Sequence, residues 1–203
     1  MVVMVTGFEP FGEDAVNPTQ EIVNRLPERI GDARIEKLVL PVEFFRAPDE
    51  AEAFAGRVRP DAVLCLGLAG GRDAVTPERT AVNVMDARIP DNAGFKPSDE
   101  AVCQNGPAAY FTTLPVREMI RRMTEEGIPA KLSESAGTYV CNCLMYRMLR
   151  SCAEQGRKVP CGFVHVPYLD TMGKEGSFSL GIDAMVRAVS LCIEAVCEEM
   201  QSA

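Results

Sequence analysis

The sequence has no tryptophan, only one histidine, and few aromatic residues, which make up 6% of its 203 positions. No apolar run reaches the roughly 18 residues that a membrane-spanning helix needs. With a single imidazole and no CxxC pair, the ligand spacings of zinc sites are missing, so we expect no metal and no other cofactor. Residues 1–7 are apolar but carry no basic leader, which argues against a signal peptide.

Positive charge is also in short supply. The net charge is −8 at pH 7 and the isoelectric point is near 4.8. Such a chain is a poor partner for nucleic acid or an anionic membrane surface. The sequence has eight cysteines, but Cys65 lies in an apolar, strand-like run, and Cys192 and Cys197 follow a helical pattern. We therefore expect free thiols and a cytoplasmic protein rather than a disulfide framework.

Short β-rich runs alternate with longer amphipathic segments along the chain. The predicted strands are 2–6, 35–40, 62–67, 80–85, 129–133 and 161–166. The predicted helices are about 18–26, 47–58, 115–126, 140–155 and 179–200. This alternation predicts an α/β fold with a largely parallel sheet covered on both faces, and a single domain over residues 1–203.

One segment interrupts the alternation. Residues 86–107 contain three prolines, two glycines and no periodic pattern. A loop of this length inside a compact domain is usually functional or mobile.

A candidate nucleophile, Cys141, lies where small polar residues give way to apolar helical spacing at Tyr139. This position predicts the first turn of the helix at 140–155. There the helix dipole and free amides stabilise a thiolate, so we expect the pKa of Cys141 to be lowered toward 7 or below. The same amides suit an oxyanion. A small buried side chain is the alternative role, and Ser135, in a Ser-x-Ser-x-Gly sequence, is a weaker rival nucleophile.

His165 ends an apolar strand, and Pro167 stops the ladder, so the imidazole is expected at the carboxyl edge of the sheet, where ligands bind in open α/β folds. Glu78 follows the glycine-rich exit of the strand at 62–67 and could orient His165. Cysteine, histidine and a carboxylate are the parts of a thiol-peptidase triad. A purely structural His165 is the alternative, as is an ion pair between Glu78 and Arg72 or Arg79.

Two phenylalanines, Phe8 and Phe11, follow the first strand in a Gly/Pro-rich loop. Their spacing fits neither a strand face nor a helix face. They could form two sides of a flat apolar slot, or they could anchor the loop in the core.

Seven segments, in order along the chain, resemble the family of pyroglutamyl-peptidase type I, also called pyrrolidone-carboxylate peptidase. They lie between residues 6 and 169, a span of about four-fifths of the sequence. The segments are TGFEPFG at 6–12, NPT at 17–19, GLAGGR at 67–72, TPER at 76–79, AVNVMDARIPDN at 81–92, SAGTYVCN at 135–142 and FVHVPYL at 163–169.

This resemblance implies a cysteine exopeptidase that removes N-terminal 5-oxoproline from peptides through a thioester intermediate. It implies Cys141 as nucleophile, His165 as general base and acid, and Glu78 as the group that orients the imidazole. It further implies a three-layer α/β/α sandwich, a cytosolic homotetramer, and substrate contacts from Phe8, Phe11, Asn17, Arg88 and Tyr139.

The pyroglutamyl ring is small, flat and uncharged, which suits aromatic walls. Its lactam N–H and C=O need partners, and backbone groups near Leu68 or the Asn17 amide could supply them. An ordinary N-terminus would bring an ammonium into the slot, at a cost of several kcal/mol if it stayed unpaired. Two features depart from the family pattern: the second thiol at Cys143, and the segment 170–176.

Two other functions remain open on the residues alone. The first is a non-catalytic binder of a small cyclic amide, held by residues 67–72 and by Phe8 and Phe11. The second is a phosphorylase-like enzyme that uses Arg72 and Arg79 for phosphate.

Overall fold

The computed structural model describes residues 1–156 and 158–202. The strands are β1 (Val2–Phe8), β2 (Arg29–Ile30), β3 (Ala33–Leu40), β4 (Ala62–Leu68), β5 (Thr76–Pro77), β6 (Thr80–Val82), β7 (Ala109–Phe111), β8 (Cys161–Val166), β9 (Tyr168–Leu169) and β10 (Ser179–Leu180). The α-helices are α1 (Pro18–Arg25), α2 (Arg46–Val58), α3 (Val116–Glu125), α4 (Val140–Glu154) and α5 (Ile182–Ser202).

The main sheet has six strands in the order β2-β3-β1-β4-β8-β5. Its central pairings, β1 with β3 and β4, and β4 with β8, are parallel, whereas the short edge strands β2 and β5 pair antiparallel. Successive residues of a strand point to opposite faces. In β1, Val3 and Val5 enter one core cluster while Met4 and Phe8 enter the other. β1, which is apolar apart from Thr6, is therefore buried on both faces, in agreement with the predicted sheet covered on both faces.

Helices cover both faces of this sheet. On one side α1, α3 and α5 contribute residues such as Ile22, Met119 and Val189 to the core. On the other side α2 and α4 contribute residues such as Ala51 and Leu144. The predicted three-layer α/β/α sandwich around a largely parallel sheet is confirmed. In the part of the chain described, no helix has both the length and the apolar character needed to cross a bilayer.

The predicted helix boundaries follow from local chemistry. Pro18 occupies the first turn of α1, and the Asn17 side chain caps this helix by accepting a hydrogen bond from the Thr19 N–H at 3.0 Å. Pro is favoured there because its missing N–H would be unpaired in any case. Gly127 and Gly156 follow α3 and α4 with φ of 74° and 68°, a conformation that glycine adopts without strain.

The strand predicted at 129–133 is absent. This segment makes only isolated bridges, at Ala130 and Ser133, to the chain on either side of Pro77. Because Pro77 has no N–H, it cannot donate the bond that would join the two bridges into a ladder.

Two other predicted boundaries were too wide. The strand expected at 80–85 is shorter and pairs with β7 outside the main sheet. The helix expected from residue 179 begins at Ile182, because Ser179 and Leu180 pair with β9.

The predicted loop at 86–107 contains neither helix nor strand. A buried carboxylate organises its first half. Asp91 accepts hydrogen bonds from the Ala93 and Phe95 N–H groups through Oδ1, and from the Phe44 N–H through Oδ2. The loop is therefore tied to the start of α2, on the face of the sheet that also carries α4.

Candidate active site

His165 and Glu78 form a buried hydrogen-bonded pair. The His165 Nδ1 lies 2.6 Å from the Glu78 Oε1, and Glu78 is fully buried. The Glu78 backbone N–H donates to the Phe163 carbonyl at 2.9 Å, which fixes the carboxylate beside β8. A carboxylate that accepts a hydrogen bond from Nδ1 selects the tautomer in which this nitrogen carries the proton. Nε2 has no hydrogen-bond partner among the residues described, so it is the nitrogen left for proton transfer.

Cys141 lies against the strand pair that carries His165. Gly67 is the register partner of His165 across the parallel strands β4 and β8, so any side chain on the two would point to the same face. A Cβ added at Gly67 would sit only 2.9 Å from the Cys141 Sγ. The thiol thus occupies the space that a side chain at position 67 would fill, on the face of the sheet where His165 projects.

The start of α4 holds Cys141 in place. The helix begins at Val140, so Cys141 is in its first turn, as predicted. The Asn142 side chain ties this turn to β6, accepting from the Val82 N–H at 2.9 Å and donating to the Val82 and Val84 carbonyls. Asn142 was not predicted as a site residue from the sequence, although its position directly after Cys141 was a signal.

The loop at 86–107 holds the residues just before the helix. The Thr138 hydroxyl donates to the Asp86 carbonyl at 2.8 Å, and the Tyr139 hydroxyl donates to the Pro90 carbonyl at 2.9 Å. The loop is thereby joined to the residues that directly precede α4 and the nucleophile candidate.

The structure contradicts the prediction of a lowered pKa for Cys141. Burial raises the pKa of this thiol to about 12, and the nearby Glu78 charge acts in the same direction. The Arg72 charge and the backbone N–H of Cys141 oppose the rise without outweighing it. The backbone at the start of the helix does act to lower the pKa of Cys141, as expected, but the desolvation of the thiolate raises this pKa by more.

The pKa values of the two partners also shift. Burial lowers the pKa of His165, against the hydrogen bond to Glu78, which works to raise it. For Glu78, burial acts to raise the pKa, but the hydrogen bond from His165 and the charge of Arg72 help lower it overall. The resting site is therefore a neutral thiol, a neutral imidazole and an ionised carboxylate.

A small cavity of about 110 Å³ opens beside Cys141. Five of the six predicted substrate contacts line it, namely Phe8, Phe11, Asn17, Leu68 and Tyr139. Val140, Val42, Val16 and Asp14 complete the lining. The sequence signal for Val42 was its place just after β3, at the same sheet edge as the end of β1. Both phenylalanines face this cavity; Phe8 also belongs to the core, so its two suggested roles coexist.

The Asn17 side chain has a double role. Its Oδ1 accepts from the Thr19 N–H and hydroxyl, and its Nδ2 donates to the Glu9 carbonyl at 2.9 Å. An amide nitrogen has two N–H donors. One Asn17 donor is thus left for a ligand, and the cap of α1 fixes where it points.

Arg88 is not in this cavity. Its side chain is exposed and lines a second, larger cavity, which shares the Phe11 and Tyr139 walls with the first. Arg88 is therefore next to the candidate site rather than within the small pocket.

Ser135, the rival nucleophile, is exposed, and its hydroxyl accepts a hydrogen bond from the Gly137 N–H at 3.2 Å. It shapes the turn that leads into α4. Arg72 and Arg79 do not form a phosphate site either, because Arg72 pairs with Glu78 and Arg79 pairs with Glu134.

Comparisons with known proteins agree on one family. The family described as pyroglutamyl peptidase matches residues 1–199. A pyrrolidone-carboxylate peptidase of Clostridium perfringens is 40% identical over 198 residues, which are 97% of this chain and 93% of the relative. One from Streptococcus suis is 43% identical over 200 residues, 98% and 93% of the two chains. The crystal structure of Bacillus amyloliquefaciens pyroglutamyl peptidase I superposes with a TM-score of 0.94 at 37% identity, covering 97% of each chain.

Proposed function

This chain belongs to the pyroglutamyl peptidase family, and from that premise we propose which of its side chains carry the reaction. The activity is that of a cysteine-type peptidase that hydrolyses the bond after an N-terminal pyroglutamyl residue. Cys141 is the nucleophile, His165 is the general base and then the general acid, and Glu78 orients the imidazole.

Acylation begins with the Cys141 thiol and the His165 imidazole both neutral. As the Cys141 Sγ attacks the pyroglutamyl carbonyl carbon, its proton passes to Nε2 of His165. The imidazolium that forms is stabilised by Glu78, already 2.6 Å from Nδ1. The proton on Nε2 then goes to the leaving amine as the C–N bond breaks, which leaves a thioester on Cys141. Water then attacks the thioester, with His165 again as base. The C–S bond breaks, the Cys141 sulfur takes the proton back from Nε2, and pyroglutamate departs.

The oxyanion of each tetrahedral intermediate forms at the start of α4. Helix N-termini have unpaired N–H groups, and the backbone N–H of Cys141 already acts on its own thiol. We assign the first-turn amides, that of Cys141 foremost, to the oxyanion. Such donors are effective because they are fixed before charge develops.

The small cavity beside Cys141 takes the pyroglutamyl ring. Phe8, Phe11 and Tyr139 provide apolar walls, with the Phe11 and Tyr139 rings 5.6 Å apart at 55°. The remaining Asn17 N–H and the backbone at Leu68 are assigned to the lactam carbonyl and N–H. Arg88, in the adjoining cavity, is assigned to the part of the peptide beyond the ring.

Peptides with an ordinary N-terminus are excluded by charge. The cavity has one acidic side chain in its lining, Asp14, and Lys174 already pairs with it at 2.5 Å. An incoming ammonium would find no unpaired carboxylate in this lining. Leaving a charge buried and unpaired costs several kcal/mol, enough to discriminate strongly.

The observation that carries this assignment is the convergence of a Glu78–His165 pair and a first-turn thiol beside a cavity with aromatic walls. The test is a matched pair of arylamides, one with an N-terminal pyroglutamyl group and one with prolyl, which differs by the ring carbonyl. We expect hydrolysis of the first alone. Comparable hydrolysis of both would contradict the assignment of the cavity.

Family membership also leads us to propose a cytoplasmic homotetramer in which residues 1–203 act as one peptidase domain. Apolar side chains that are more than half exposed, Phe45, Ile89 and Phe111, are candidates for subunit contacts. Light scattering coupled to size exclusion tests the stoichiometry, and a monomer at micromolar concentration would contradict the tetramer.

A further inference from the structure

Glu78 has a second partner besides His165. The Arg72 Nη1 lies 2.5 Å from the same carboxylate oxygen, Oε1, that faces the His165 Nδ1. The other oxygen, Oε2, is buried without a hydrogen-bond partner among the residues described. The Ser133 hydroxyl is close enough to help lower the pKa of Glu78, but it forms no hydrogen bond to Oε2. The contact with His165 and the ion pair with Arg72, which the sequence offered as alternatives for Glu78, are therefore both present, and both involve Oε1.

Arg72 also contacts the backbone of the histidine strand through Thr76. The same Nη1 donates to the Thr76 Oγ1 at 2.5 Å, and this hydroxyl lies 3.5 Å from the His165 carbonyl. Thr76 is in turn the register partner of His165 in the β5–β8 pair. One guanidinium nitrogen thus contacts the Glu78 carboxylate and, through Thr76, the strand β8 that carries His165.

The glycine-rich turn after β4 brings Arg72 to this place. Gly71 has φ of 84°, and the Arg72 N–H bonds back to the Ala69 carbonyl at 3.3 Å. A Cβ at Gly70 would lie 2.1 Å from the Tyr168 hydroxyl oxygen, so the turn packs directly on that ring. These glycines serve a tight return of the chain rather than the close approach of a ligand.

The charge balance requires such a partner. Glu78 is fully buried, and a neutral imidazole donor supplies no compensating charge. Burying an unpaired carboxylate is costly, and it is relieved either by protonation of the carboxylate or by a nearby cation. Among the residues described, Glu78 forms ion pairs with Arg72 and His165, so without Arg72 the partner left to carry the positive charge is His165 in its protonated form, which cannot act as a base.

We propose that Arg72 is a positioning residue of the catalytic site: its guanidinium fixes the Glu78 carboxylate and neutralises it, so that His165 stays unprotonated and correctly oriented. This inference rests on the proposed function of Cys141, His165 and Glu78. It adds a fourth member, which touches neither the substrate nor the reacting atoms.

Loss of the Arg72 charge should shift the pH dependence of activity in one definite direction. Among the residues described, the charged groups that act on His165 are Glu78 after β5 and Arg72 in the β4–β5 turn, and the thiol of Cys141 on α4 lies on the same face of the sheet. Arg72 lowers the pKa of His165, which Glu78 acts to raise. Removing the guanidinium therefore raises the pKa of His165. Because the neutral imidazole is the active form, the acid limb of kcat/KM moves to higher pH.

The experiment compares pH profiles for pyroglutamyl-arylamide hydrolysis by wild type, Arg72→Gln and Arg72→Lys. For Arg72→Gln we expect kcat to fall by about tenfold or more, little change in KM, and an acid limb displaced to higher pH. Arg72→Lys keeps the charge but not the planar geometry, so it should fall between the other two in kcat with a nearly normal acid limb. Arg79→Gln is the matched control, since Arg79 pairs with the exposed Glu134, and its profile should stay that of wild type.

A folded Arg72→Gln with a wild-type acid limb would overturn the proposal, whatever its kcat. If that variant does not fold, Arg72→Lys decides, and an acid limb displaced despite the retained charge would overturn it. Cys141→Ala, assayed alongside, keeps the two hypotheses apart. Full activity in that variant would refute the proposed function itself, whereas an inactive Cys141→Ala with an unshifted Arg72→Gln would refute only the role of Arg72.

Discussion

A methyl group added at Gly67 should slow the enzyme without removing any reacting group. A Cβ at this position would lie 2.7 Å from the Phe163 Cζ and 2.9 Å from the Cys141 Sγ. Ordinary contact begins at 3.4 Å, so the sulfur must move by at least about 0.5 Å unless the strand shifts instead. Overpacking of this kind costs about 1–3 kcal/mol of stability. Misplacement of a reacting atom by about 1 Å costs on the order of a hundredfold in rate.

We therefore expect Gly67→Ala to lower kcat by about tenfold to a hundredfold and to lower the free energy of unfolding by about 1–3 kcal/mol. Gly56→Ala is the matched control. A Cβ there meets no heavy atom within 4 Å, and Gly56 lies in α2. Alanine should stabilise that helix by up to about 1 kcal/mol with unchanged turnover. The assays are arylamide hydrolysis and urea unfolding. Wild-type turnover in folded Gly67→Ala would refute the placement of Cys141 against β4.

Further predictions concern the three catalytic residues and the neighbouring thiol of Cys143. Because burial raises the pKa of the Cys141 thiol to about 12, its alkylation by iodoacetamide in the free enzyme should still accelerate with pH above 9; a plateau at neutral pH would indicate a preformed thiolate. His165→Gln should lower kcat by about 10² to 10⁴, and Glu78→Gln by less, since an amide still orients the ring in part. Retention of a tenth of the activity in His165→Gln, or an unaltered rate in Glu78→Gln, would make that residue structural. Cys143→Ser should leave catalysis and early inactivation by peroxide nearly unchanged, because the Cys143 thiol is buried and directed to the Phe44 carbonyl at 3.2 Å. Mass spectrometry that found a Cys141–Cys143 disulfide as the main early product would contradict this.

Periodicity predicted the parts of the fold that are fixed by local pattern and deep burial. The runs that became β1, β4 and β8 are almost entirely apolar because both of their faces are covered. The start of α4 was visible because small residues precede apolar helical spacing. The edge of the sheet was harder, since β5 has only two residues and Pro77 interrupts its pairing with 129–133.

The sequence predicted which residues form the site more completely than it predicted their chemistry. Cys141, His165 and Glu78 could be named from the sequence, and the resemblance supplied their roles. The direction of the pKa shift at Cys141 could not, because the helix dipole is a local property whereas desolvation depends on what packs around the thiol. The simultaneous bonds of Glu78 to His165 and Arg72 were also out of reach, since they depend on the return of the chain at Gly71.

The central claim, that Cys141 is the nucleophile, is tested most directly by the turnover of pyroglutamyl-arylamide by Cys141→Ala. The substitution is small and falls in a first helical turn whose geometry is held by Asn142, so the circular dichroism and melting temperature should stay those of wild type. We predict no hydrolysis above the uncatalysed rate in this folded variant. Turnover at the wild-type rate would contradict the mechanism.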